Sequence, residues 1–125
     1  MKAGDRAAPR SPAQATLTRA KAHLDTLALY PRPVRIDHVA VLVAGGLFRL
    51  PWFRRFDGYA MWNLILLRSP LLATDDRLIC HELCHVWQMQ QRPLRMPLSY
   101  LKTGYAANQY EEEARRAARA MAPHT

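Results

Sequence analysis

The sequence predicts an α+β fold with an N-terminal helix, a small three-stranded sheet, a central helix and two C-terminal helices. Three observations predict it. Apolar residues Leu17, Ala20, Leu24, Leu27 and Ala28 recur at helical spacing. The stretch Val34 to Val41 alternates and then turns wholly apolar, and Tyr59 to Leu67 is rich in residues that favour strands. Finally, residues 76 to 91 contain neither glycine nor proline, and an alanine- and arginine-rich segment follows near the end of the chain.

Taken in order, residues 1 to 14 are polar and rich in proline and alanine, which predicts a flexible arm followed by one domain over residues 15 to 125. The first helix is capped by Thr16 or Thr18 and ended by Pro31 and Pro33. Residues 34 to 41 supply a first strand, Gly45-Gly46 a turn, and residues 47 to 56 a second strand. Asp57-Gly58 reads as a hairpin turn, with Tyr59 to Leu67 as the third strand. The central helix starts near Asp75 or Asp76 and stops before Pro93. A short helix is expected from Leu98 to Tyr105 and a last one from about 109 to 121.

Half the 125 residues are apolar, enough for one domain that buries roughly two thirds of its unfolded surface but not for two. No uninterrupted apolar run reaches the roughly 18 residues of a membrane-spanning helix. The first residues lack the apolar core of a signal peptide, so a cytoplasmic location is expected. Cys80 and Cys84 stand one helical turn apart, a poor geometry for a disulfide, and read as small buried apolar residues in a reducing compartment.

The formal net charge of +8 would attract acidic surfaces. Its arginines are scattered and no nucleic-acid module is legible, so a specific nucleic-acid partner is not expected. Weak binding to an anionic surface fits best at the aromatic and basic stretch Leu47 to Phe56, although core packing is the commoner use of Trp52 and Phe53.

The chemistry concentrates in His81-Glu82-Leu83-Cys84-His85. The four-residue step puts both imidazoles on one helical face, and Glu82 projects about 100° away from His81. Two histidines on one helical face can hold a zinc ion, and a carboxylate beside it can accept a proton from water that the metal acidifies. Two histidines and a carboxylate among Leu78, Ile79, Leu83, Val86 and Trp87 would be costly to bury without such a partner. A third ligand belongs downstream, and Glu111-Glu112-Glu113 is the best run to supply it. Successive glutamates diverge by about 100°, so spacing admits one of the three without naming which.

With Gln88 and with Glu111-Glu112-Glu113-Ala114 downstream, the His81 to His85 helix resembles the gluzincins, zinc metallopeptidases whose third ligand is a glutamate on a second helix. Short single-domain bacterial forms are the most similar, and the likeness spans roughly residues 59 to 121. The resemblance implies a zincin-like fold and one Zn2+ per chain held by His81, His85 and Glu111, the glutamate three residues before Ala114. It implies Glu82 as general base, a peptide or protein substrate, and an edge strand at Ala60, Trp62 and Asn63 that pairs with an extended peptide. Where several gluzincins carry an aspartate that orients a histidine, four residues past the ligand glutamate, this chain has Arg115. Asp37, Asp57, Asp75 and Asp76 are the aspartates left for that role. Peptide hydrolysis also needs a donor for the developing oxyanion, and Tyr100 and Tyr105, then Tyr110 and His38, are the candidates. The alternative expectation is an interaction or scaffold protein that holds zinc without effective hydrolysis. Neither the substrate nor the oligomeric state is legible.

Overall fold

The computed structural model describes residues 11–121 and contains four α-helices and one three-stranded sheet. Helix α1 (Pro12–Leu27) begins five residues earlier than a Thr16 cap would set it. Ser11 is its N-cap, accepting a hydrogen bond from the Gln14 amide, and Pro12 occupies the first turn, where its missing N–H costs nothing. Residues 12 to 14 of the expected arm therefore belong to a helix, and residues 1 to 10 lie outside the described residues. Thr16 instead bonds the carbonyls of Pro12 and Ala73 and ties α1 to the segment before the central helix.

The sheet has three strands, but not the three expected. Strand β1 is only Ala40–Val43. Residues 47 to 56 form no strand: Leu47–Arg49 is a 3-10 turn, and the amides of Phe53 and Phe56 close further turns onto Leu50 and Phe53. Those turns bury Phe48 and pack Phe53 and Phe56 against Tyr59 in a compact corner, but Trp52 is 66% exposed and does not join the core. Gly58 opens strand β2 (Gly58–Met61) instead of ending a hairpin, and the hairpin turn is Trp62-Asn63. Tyr59 to Leu67 is thus two strands, with β3 at Leu64–Leu67. The order is β1-β3-β2, with β3 parallel to β1 and antiparallel to β2. Central β3 buries Ile65 and Leu67 fully, as a strand flanked on both edges should.

Helix α2 (Asp76–Gln91) carries the histidines and starts from Asp75, whose carboxylate accepts from the Leu78 amide. It packs against α1, β2 and the last helix, which is why Ile79, Cys80, Leu83, Cys84, Val86 and Trp87 are all buried. Helix α3 (Arg95–Thr103) starts two residues before Pro97, because a proline in the first turn lacks only an N–H that would go unpaired. Gly104, at φ +74°, ends it in a conformation that suits glycine. Helix α4 (Gln109–Arg119) follows from Asn108, whose side chain accepts from the amides of Tyr110 and Glu111. None of the helices among the described residues is long and apolar enough to cross a membrane.

Candidate metal centre

The junction of α2 and α4 brings His81, His85 and Glu111 together. Their ligand atoms all lie within 4.8 Å of one another. His81 Nε2 is 2.8 Å from Glu111 Oε2, and His85 Nε2 is 2.9 Å from Oε1. An ion bonded at about 2.1 Å to each of three tetrahedral ligands holds those atoms roughly 3.4 Å apart, so the two histidine–carboxylate contacts would have to open by about half an ångström to admit one. The donor set of two imidazoles and a carboxylate suits a first-row divalent ion and leaves a coordination position open. Among the described residues this is the one cluster of three such side chains close enough to hold a metal ion.

Local structure fixes each member. Asn108 holds the first turn of α4 through two backbone amides, and its own amide group donates to Ser99 and Thr103 of α3. Glu111 is 1% exposed. Burial opposes its charge, but hydrogen bonds from His81 and His85 prevail and hold its carboxyl well below the usual carboxylate range. The same contact raises His85, although burial alone would lower it. The triplet separates cleanly: Glu112 turns outward to Arg115, Arg116 and Arg119, and Glu113 turns inward to the Tyr30 hydroxyl and Gln88. Arg115 lies 3.7 Å from Glu111, adding positive charge where an aspartate was sought.

Gln88 does what no described aspartate does. Its Oε1 lies 2.8 Å from His85 Nδ1 and accepts that proton; Nε2 then donates to Glu111 in the protonated ring, and in the neutral ring offers a metal its lone pair. Its amide group donates to the Tyr110 carbonyl and to Glu113, so the orienting group is itself held. Gln88 carried a readable signal, a polar residue three positions after His85 on an otherwise apolar buried helix, but the sequence offered no reason to give it this role. Asp76 is engaged by Arg19, and Asp75 caps α2.

Glu82 is buried beside the two histidines under Gly58. A β-carbon at Gly58 would lie 3.2 Å from Glu82 Cγ and 3.3 Å from Oε2, so this glycine provides the space the carboxyl occupies. Burial raises the Glu82 pKa, His85 and His81 lower it, and the net shift is upward. The carboxyl faces a cavity of about 350 Å³, lined by the triad and by Phe53, Phe56, Tyr59, Met89, Met96 and Tyr100.

The remaining candidates divide. Tyr100 and Tyr105 both reach the cluster, and both hydroxyls donate to Glu111, at 3.3 and 2.9 Å. Burial and the glutamate raise both phenols far above their ordinary range, so they remain donors. Tyr110 is buried with Met89 and Met96, and His38 is exposed on the turn before β1; neither lines the cavity. Ala60 lies on edge strand β2 and lines the cavity. Trp62 and Asn63 form the hairpin turn beyond it, because the strand ends at Met61. Both cysteines are free and buried, with burial pushing the Cys80 thiol up to about 12. Comparison with protein-family models, curated proteins and solved structures gives no match.

Proposed function

We propose that this chain is a small zinc-dependent peptidase of the gluzincin type, with His81, His85 and Glu111 as ligands and Glu82 as the general base. One observation carries the reading: three ligand atoms converge on the wall of an open cavity, and the buried carboxyl of Glu82 stands beside them. A helix bearing both histidines, a second helix bearing the glutamate and a small sheet beside them are compatible with the zincin-like fold that this reading requires.

Held there by His81, His85 and Glu111, zinc would supply Lewis acidity to a substrate carbonyl and to a water. Glu82 would take the proton of that water on its carboxylate and return it to the departing amine nitrogen. Tyr100 is the better oxyanion donor, since its 3.3 Å bond to Glu111 is the looser of the two. The free edge of β2 beside Ala60 accepts an extended peptide through main-chain hydrogen bonds.

Plasma mass spectrometry on untagged protein tests the centre. About one zinc per chain is expected, lost in His81→Ala and Glu111→Ala. Peptide hydrolysis that disappears in Glu82→Gln while zinc stays bound establishes the peptidase. Zinc without hydrolysis in the parent chain leaves a metal-holding scaffold, and no zinc in any preparation ends both readings.

A further inference from the structure

Helix α3 turns its apolar residues the wrong way for a helix of a water-facing surface. Leu94, Leu98 and Leu101 are 67%, 57% and 84% exposed. Their spacing of four and three residues puts them within about 60° of one another on one face. Met96 and Tyr100, on the opposite face, meet the buried groups and line the cavity. The leucine face continues to Trp62, 48% exposed, whose indole N–H donates to the Pro93 carbonyl.

Charge says what this face fits. Exposed Arg92, Arg95 and Lys102 surround it, and none forms an ion pair among the described residues. No aspartate or glutamate occurs anywhere from residue 83 to residue 110. Leucine and tryptophan on one side, with unpaired cations around them, match the boundary between anionic headgroups and acyl chains.

We infer that α3 and the Trp62 turn dock this protein onto anionic lipid surfaces, with Leu94, Leu98 and Leu101 entering the acyl boundary and Arg92, Arg95 and Lys102 meeting the headgroups. The sequence pointed to residues 47 to 56 for such contact; there Phe48 is buried and Phe53 packs into the aromatic corner, while Trp52 stands 66% exposed without a leucine row beside it. The inference is independent of the hydrolytic reading, since it uses neither the metal cluster nor Glu82.

The test is co-sedimentation of the full chain with vesicles of phosphatidylcholine alone or with about 30 mol% phosphatidylserine. At least about tenfold stronger partition to the anionic vesicles is expected, falling as salt rises toward about 1 M. A Leu94→Ser/Leu98→Ser/Leu101→Ser variant with an unchanged circular dichroism spectrum loses that partition, and Arg95→Gln/Lys102→Gln weakens it. Should the triple variant misfold, Leu101→Ser alone gives a partial loss. Equal partition to both vesicle types, or undiminished partition of the folded leucine variant (Leu101→Ser if the triple does not fold), overturns the inference. So does a concentration-dependent dimer that the leucine variant dissociates while vesicles bind neither form, because a second copy then covers this face.

Discussion

Replacing Gln88 with leucine keeps the volume of a fully buried side chain and removes three polar contacts at once. His85 Nδ1 loses its acceptor, and the Tyr110 carbonyl and Glu113 lose a donor. Each buried partner left short costs about 1–3 kcal/mol, offset in part by the apolar replacement, so a stability loss of about 2–4 kcal/mol is expected. The imidazole of His85 is then free to rotate or to take the other tautomer. Loss of such an orienting partner typically weakens metal binding 10- to 100-fold, or about 1.4–2.8 kcal/mol. Leu24→Ala supplies the control. Leu24 is fully buried on α1, and its truncation costs a comparable ~2–5 kcal/mol without touching the cluster. Zinc affinity by competition with a chromogenic chelator, and stability by urea denaturation, then separate in the two variants. Both fall in Gln88→Leu, and stability alone falls in Leu24→Ala. Wild-type zinc affinity in Gln88→Leu, or an equal loss of affinity in Leu24→Ala, refutes the argument that Gln88 sets the tautomer of His85.

Two other perturbations probe the frame around the cluster. Gly58→Ala fits the backbone but drives a methyl to 3.2 Å from Glu82, displacing the carboxyl by a few tenths of an ångström; zinc content and urea midpoint should hold, while peptide hydrolysis falls by about tenfold. Unchanged turnover would mean that the position of Glu82 does not limit the reaction. Asn108→Ala removes the cap of α4 and its bridge to α3, so a loss of about 1–2 kcal/mol by urea denaturation and weaker zinc retention should appear together; a stability loss with full retention would show that the cap does not position Glu111.

The parts of this molecule that could be read from sequence are those whose signals are local. Helix α2 announces both ends, with Asp75 as cap and Pro93 just beyond the last turn. The sheet was misread because its signals are misleading. The run from Leu47 to Phe56 has the apolar and aromatic content of a strand, yet it folds as successive turns around buried Phe48. The true hairpin turn places Trp62 at φ +48°, where glycine or asparagine would be the usual signal. A non-glycine residue there costs about 1–2 kcal/mol. The indole bond to Pro93 and the contact of the Trp62 amide with the Met89 sulfur hold the turn over the end of α2. Long-range contacts of that kind leave no mark in a local pattern.

The third member of the cluster shows the same boundary. Three consecutive glutamates look alike in sequence, and a family register was needed to prefer Glu111. In the structure their separation follows from where α4 lies: Glu112 faces solvent and three arginines, Glu113 faces Tyr30, and Glu111 faces α2. Packing decides it, through the Asn108 cap that sets the rotation of the first turn.

Burying Glu82, His85, Gln88 and Glu111 at one helix junction is costly unless each finds a partner. The distribution of partners is uneven in an informative way. Glu111 receives two histidines and two tyrosine hydroxyls, His85 has Gln88 and Glu111, and Gln88 is bonded at both ends of its amide. Glu82 makes no hydrogen bond among the described residues, although a glycine is placed to leave it room and an open cavity lies in front of it. A junction selected for stability alone would have put an apolar side chain there. The group held in place but left without a partner is the one free to take a proton from what enters the cavity, and that asymmetry is the physical ground for assigning it the base.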